Sequence, residues 1–171
     1  MLYPPRPGST ASLESEVIRN LDPNEWIYQY KYDGHRVVIA PVNGVLEVFN
    51  RYKERKSGVP DDLLADIRAA LNPLWTYDGE ILPWGVVLWD VLGPNLVGYS
   101  YYYRQGILRN NWTLSCPGRV EIADSFPLFG PLAPPDPYTE GYVFKRPEAR
   151  LEPMFTKENN GSWMIRARFT D

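Results

Sequence analysis

The spacing of apolar positions divides the chain into many short extended runs and a few helical ones. Trp26-Ile27-Tyr28-Gln29-Tyr30 and Arg36-Val37-Val38-Ile39-Ala40 are rich in aromatic and β-branched residues, which suit a pleated, half-buried surface. Asp33-Gly34 lies between them, and Val45-Leu46-Glu47-Val48-Phe49 follows the turn residues Asn43-Gly44, so the three runs predict a strand meander. Leu63, Leu64, Ile67, Ala70 and Leu71 recur at helical spacing behind Asp61 and Asp62, whose charges favour a helix N-terminus, and an amphipathic helix is expected over residues 61–71. A shorter helix is expected over residues 12–21. Glu80-Ile81-Leu82 and the almost wholly apolar run of residues 86–92, bounded by Gly85 and Gly93, predict core strands. Residues 99–110 join three consecutive tyrosines to Arg104 and Arg109; a helix starting near Ser100 is expected, with a strand as the alternative. Residues 126–138, crowded with proline and glycine, read as a loop, and residues 141–145 and 163–169 as two last strands. Residues 1–10 read as an extended lead-in rather than a regular element.

Composition narrows the class. A chain of 171 residues with 44% hydrophobic and 14% aromatic content can bury one core, so a single domain over residues 1–171 is expected. No apolar run approaches the ~20 residues of a membrane helix, so no membrane partner is expected. The opening residues lack the pattern of a secretion signal and Cys116 has no partner cysteine, which together predict an intracellular setting, cytoplasm or nucleoid, compatible with a viral or phage origin. The formal net charge of -3 argues against a surface that grips phosphates everywhere. Any nucleic-acid contact must be local, at cationic runs such as residues 51–56, Lys145-Arg146 or Arg166-Ala167-Arg168.

The sharpest chemical feature is Lys31-Tyr32-Asp33-Gly34-His35-Arg36. An amine attacks phosphorus only when unprotonated, so a lysine with an ordinary pKa of ~10.4 needs desolvation or a neighbouring cation, and Arg36 is expected to supply that charge. On this segment alone an ordinary Asp-Gly hairpin turn stays open as the alternative.

Taken with the motifs that follow it, the segment resembles the nucleotidyltransferase domain of ATP-dependent DNA ligases, in the superfamily that also holds RNA ligases and mRNA capping enzymes. Lys31-Tyr32-Asp33-Gly34-His35-Arg36 matches the family's KxDGxR, Asn50-Arg51 its next short element, Asp78-Gly79-Glu80-Ile81 its DGE, residues 87–92 its aromatic-Asp run with Trp89 in place of phenylalanine, and Glu140-Gly141-Tyr142-Val143-Phe144-Lys145 its EGxVxK. Arg166-Ala167-Arg168 stands where the family has KxK. The resemblance covers about residues 26–169. It implies an α+β, ATP-grasp-like fold, with antiparallel sheets and flanking helices around a nucleotide cleft. It implies Lys31 as the adenylated nucleophile, with Lys145, Arg166 and Arg168 catalytic at the α-phosphate. Gln29, Arg36, Arg51, Glu80 and Trp89 would bind the nucleotide, Gln29 standing where DNA ligases often have glutamate. Glu140 and Asp33 would hold Mg²⁺ or Mn²⁺.

The activity implied is formation of lysyl-AMP from ATP, transfer of AMP to a 5′-phosphate and sealing of a nick in duplex DNA. An RNA ligase, a capping-type guanylyltransferase and an inactive nucleotide- or nucleic-acid-binding module are the alternatives. The sequence stops at Asp171, directly after the last motif, so no OB-fold domain is expected within it, and a separate OB-fold or clamp protein is the expected additional partner.

Overall fold

The computed structural model describes residues 3–110, 119–150 and 160–169; Cys116, Met1, Leu2 and Asp171 lie outside them. The elements in chain order are β1 (Arg6–Thr10), α1 (Glu16–Arg19), β2 (Ile27–Tyr32), β3 (His35–Val42), β4 (Val45–Phe49), α2 (Asp61–Ala70), β5 (Thr76–Leu82), β6 (Gly85–Leu92), a 3-10 turn (Pro94–Leu96), α3 (Tyr101–Asn110), β7 (Val120–Ile122), β8 (Phe126–Pro127), β9 (Thr139–Lys145) and β10 (Asn160–Arg168). They build two five-stranded sheets, one ordered β1-β10-β9-β2-β8 and the other β4-β3-β5-β6-β7. Mixed sheets with few helices replace the expected antiparallel ones, because β1 runs parallel to β10 and β7 parallel to β6 at the sheet edges.

Three expectations need correction, and in each the missing information is a pairing partner distant in sequence, which local pattern and composition do not specify. The meander is half right. Strands β3 and β4 form a hairpin, but β2 pairs with β8 and β9 in the other sheet, so the chain changes sheets at Asp33-Gly34 and that dipeptide is no hairpin turn. Gly34 is needed for room: a Cβ there would lie 2.1 Å from the carbonyl oxygen of Ile81. The lead-in is a strand over Arg6–Thr10, held by backbone pairing to β10 that its Pro- and Gly-rich composition conceals. The presumed loop over residues 126–138 contains the two-residue β8, paired to Ile27 and Tyr28.

Helix α1 is a single turn, capped by the Ser15 hydroxyl accepting from the Ile18 amide at 3.4 Å. Helix α2 begins after Pro60 with Asp61 and Asp62 in its first turn, as charge and spacing predict. It buries Leu63 and Ile67 against β3, β4 and β6 through Val37, Ile39, Leu46 and Leu88, each such side chain contributing about 1.5–3 kcal/mol. Helix α3 forms where the tyrosine-rich run begins, with Tyr101, Arg104, Gln105 and Leu108 on its buried face. The first sheet has its own aromatic core of Trp26, Tyr28, Tyr142, Phe144 and Ile165. No helix among the described residues is long and apolar enough to cross a membrane.

Candidate active site

Strand alternation sorts the first sheet into two faces. Tyr28, Tyr142, Phe144, Ile165 and Ala167 enter the aromatic core, so Gln29, Lys31, Val143, Lys145, Met164, Arg166 and Arg168 face the other way. They look onto Arg36 of β3, Asp78 and Glu80 of β5 and Trp89 of β6, and the two sheets enclose a cleft of about 550 Å³ between them. Ten of the eleven side chains singled out in the sequence line this cleft, namely Gln29, Lys31, Arg36, Arg51, Glu80, Trp89, Glu140, Lys145, Arg166 and Arg168. Asp33 does not: it is exposed in the link between the sheets, where its amide donates to the Tyr138 carbonyl at 2.9 Å.

Lys31 lies opposite Gly141 in the β2–β9 ladder, which brings its ammonium onto the Glu140 carboxylate. Burial lowers the Lys31 pKa, and the positive charge of Arg168 lowers it next. Arg36 is not the cause that the sequence suggested. Its guanidinium grips Asp78 through two hydrogen bonds of 3.0 and 3.1 Å and donates to the Pro4 carbonyl at 3.0 Å, so its charge is already matched. Burial also pushes the Glu80 carboxyl up to about 7, although it accepts a 3.2 Å hydrogen bond from the Gly34 amide. Arg166 and Arg168 are exposed at the rim; the Nε of Arg166 donates to the Thr10 hydroxyl at 2.8 Å, and Arg168 lies 3.8 Å from Glu140.

The deepest cation of the cleft lining is Lys145. Only 3% exposed, it packs 4.6 Å from the Tyr101 ring centre and 5.7 Å from that of Trp89, and burial drives its pKa down to about 7. Sequence reasoning missed Tyr101. Its fully buried hydroxyl sits 2.6 Å from the Trp89 carbonyl and 3.1 Å from Oε1 of Gln29, and accepts from Gln105 and Lys145 at 3.1 and 3.2 Å. The available signal was helical spacing: Tyr101, Arg104, Gln105 and Leu108 share one face of α3. The Gln29 carboxamide also donates to the Ser125 hydroxyl at 3.0 Å, so its amide plane is fixed from two sides at the cleft wall. Beneath this layer Asp90 and Arg104 form a buried pair, joined at 2.9 and 3.1 Å.

Chemically, the cleft combines a partly desolvated amine, a carboxylate touching it, a ring of cations and an aromatic wall. That set suits a planar ligand bearing phosphates. A hard divalent cation fits it sparsely. Among the described residues no three His, Cys, Asp or Glu converge, so Glu140 would give one oxygen and leave the others to water and phosphate, the habit of Mg²⁺.

Several solved structures share this fold, three of them as follows. The ligase domain of LigD from M. tuberculosis superposes with a TM-score of 0.61 at 15% identity, over 95% of this chain and 59% of that one. A mycobacterial DNA ligase D complexed with ATP and MES gives 0.59 at 14% identity, over 98% and 60%. A Lig E DNA ligase gives 0.59 at 16% identity, over 94% and 68%. The chain thus spans about 60% of the length of the two ligase D structures. No curated protein sequence matches it. The family model described as the ATP dependent DNA ligase domain matches residues 9–92, which run from β1 through Lys31, Glu80 and Trp89 to the end of β6. Over those residues, just under half of the chain, the sequence is similar to the ATP dependent DNA ligase domain.

Proposed function

We propose that the cleft carries out covalent adenylation, the first step of DNA ligation, with Lys31 as nucleophile. The observation that carries this reading is Lys31 itself: burial lowers its pKa, it contacts Glu140, and it shares a cleft with Lys145, Arg166 and Arg168. The Lys31 Nζ lone pair forms a bond to the α-phosphorus of ATP as the bond to the pyrophosphate oxygen breaks, giving a lysyl-AMP phosphoramidate and pyrophosphate. Glu140 holds the amine in place before attack and is the nearest acceptor for the proton that it sheds. Lys145 binds an α-phosphate oxygen from the cleft floor, and a phosphate there favours its protonated form. Arg166 and Arg168 can only bind and orient, since a guanidinium does not lose its proton.

Trp89 offers a face for the base and the fixed Gln29 carboxamide an edge contact, while Glu80, about half ionised near pH 7, accepts from or donates to the ribose hydroxyls. A divalent cation, when bound, supplies charge neutralisation at the phosphate oxygens, and Glu140 is the residue that would hold it. AMP then passes to the 5′-phosphate of a nick, and the adjacent 3′-hydroxyl displaces it to seal the strand.

Incubation with radiolabelled ATP or GTP and Mg²⁺, followed by denaturing electrophoresis, tests the first step. A labelled band with ATP that disappears in Lys31→Ala is expected. A band with GTP alone would indicate capping chemistry, and no band with either would leave a nucleotide-binding module.

A further inference from the structure

Behind the cleft wall, four side chains close a ring of hydrogen bonds. Nε2 of Gln29, on β2, donates to the Ser125 hydroxyl at 3.0 Å, and Ser125 donates to Oε1 of Gln105 at 2.8 Å. Nε2 of Gln105, on α3, donates to the Tyr101 hydroxyl at 3.1 Å. Tyr101 then closes the ring on Oε1 of Gln29 at 3.1 Å, while its hydroxyl also meets the Trp89 carbonyl at 2.6 Å. Gln29, Gln105 and Tyr101 are buried and Ser125 is partly so. Of the four, Gln29 alone lines the cleft, and the other three stand behind it.

The ring fixes which way round the Gln29 carboxamide sits. A hydroxyl has one proton to give and two lone pairs to accept with, whereas a carboxamide carries its protons on one side and its lone pairs on the other. Were Gln29 to flip, its carbonyl would face a Ser125 oxygen whose proton is already committed to Gln105. Its NH2 group would face a Tyr101 oxygen whose lone pairs already take protons from Gln105 and Lys145. Both obstacles depend on Gln105, which accepts at one end of its own amide and donates at the other. Without that amide the Ser125 proton can turn to Gln29 and a Tyr101 lone pair can accept from it, so the flip no longer strands a buried polar group.

Orientation matters because the two purines exchange a donor for an acceptor. The amino group at C6 of adenine donates where the C6 oxygen of guanine accepts. A carboxamide held one way round therefore suits one of them, and a carboxamide free to flip suits both. We infer that Gln105 and Ser125 are positioning residues that hold Gln29 in a single orientation and so set which purine nucleotide the cleft prefers. That the ligand is a purine nucleotide rests on the ligase reading; the coupling of Gln29 to Gln105 rests on the ring alone.

The test uses the full chain carrying Lys31→Ala, so that binding is read without covalent turnover, titrated with ATP and with GTP in the presence of Mg²⁺. This parent should prefer ATP. Gln105→Met, which keeps the bulk and removes the amide, should lower the ratio of the two affinities roughly tenfold. Ser125→Ala, which takes the acceptor from Gln29, should lower it in the same direction, and Gln105→Glu, which still accepts from Ser125, should lose less. A ratio unmoved in both Gln105→Met and Ser125→Ala overturns the positioning role. So does an equal weakening of both nucleotides, which would mark the ring as structural only, and so does a parent that binds the two equally or binds neither. Thermal melting shows whether each variant is folded, and Ser125→Ala, at a partly exposed position, carries the test if Gln105→Met does not fold. Adduct formation with labelled ATP is scored separately on the chain with Lys31 intact. No adduct alongside a ratio that still falls sinks the ligase reading and leaves the positioning role standing, whereas an adduct alongside an unmoved ratio does the reverse.

Discussion

Removing the charge of Asp90 should destabilise the protein more than its distance from the cleft surface suggests. Arg104 is completely buried and Asp90 nearly so, with side-chain exposures of 0% and 4%. The carboxylate takes two hydrogen bonds from the guanidinium, at 2.9 and 3.1 Å, and the remaining strong contact of Arg104 is the Tyr99 carbonyl at 2.8 Å. Asp90→Asn keeps the shape but leaves a guanidinium buried without a counter-charge, a change that costs about 3–5 kcal/mol. Against a typical total of about 5–15 kcal/mol, that is enough to shift a urea midpoint markedly. Asp90→Leu with Arg104→Met removes both charges, and that pair should cost less than Asp90→Asn alone, because no ion is left stranded. Equilibrium urea unfolding of the three proteins decides the matter. A loss below about 1 kcal/mol for Asp90→Asn, or a double variant worse than the single one, would refute the idea that the stranded charge dominates.

Two titrating groups in the cleft set opposite pH limbs. Glu80, raised from its ordinary 4.5 to about 7, stabilises the fold fully below pH 4.5 and loses that contribution as pH rises through 7. Lys145, lowered from 10.5 to about 7, contributes fully above 10.5 and loses that contribution as pH falls through 7. Urea midpoints should therefore dip near neutrality, with limbs of at most ~1.4 kcal/mol per pH unit; Glu80→Gln should flatten the acid limb and Lys145→Met the alkaline one, and a maximum near pH 7 would count against both. Tyr101→Phe strips a buried hydroxyl from Gln29, Gln105, Lys145 and the Trp89 carbonyl, so it should cost about 1–3 kcal/mol and, in the adduct assay, loosen the preference for ATP over GTP. Gly34→Ala drives a Cβ against the Ile81 carbonyl and should lose at least about 2 kcal/mol, whereas Gly106→Ala, inside α3 with open space around it, should gain about 0.5–1 kcal/mol; calorimetric melting reads both.

Much of this was legible in the sequence. Helix α2 and the hairpin of β3 and β4 follow from local spacing and turn chemistry, which need no knowledge of the rest of the chain. Motif order along the chain pointed to Lys31, Glu80, Glu140 and Lys145, and the structure brings all four to one cleft. The failures were of a different kind. That β2 leaves the meander, that residues 6–10 form a strand, and that Arg36 spends its charge on Asp78 all depend on partners distant in sequence. Asp33 lies outside the cleft lining, because sequence proximity to Lys31 says nothing of which way a side chain leaves a linking segment. Tyr101 was visible as one tyrosine of three, and only the burial of one helix face separates it from the exposed Tyr102 and Tyr103.

The aromatic core behind the first sheet explains why its other face can hold so many charges. Lys31, Lys145, Arg166 and Arg168 all depend on the register of β2, β9 and β10, and a slip of one residue would turn every one of them inward. That slip is opposed from behind. Tyr28 meets Tyr142 edge-on at 5.4 Å and stacks on Phe126 at 5.2 Å, while Tyr142 meets Phe169 at 5.1 Å. Each such pair contributes about 0.5–1.5 kcal/mol beyond its buried area. Gly141 reinforces the same register, since a Cβ there would lie 2.0 Å from the Ala167 carbonyl oxygen, so no other residue can stand opposite Lys31 without moving β10. Repulsion among the cleft cations is therefore carried by apolar packing on the far side of the same strands, and an anion that enters the cleft relieves it.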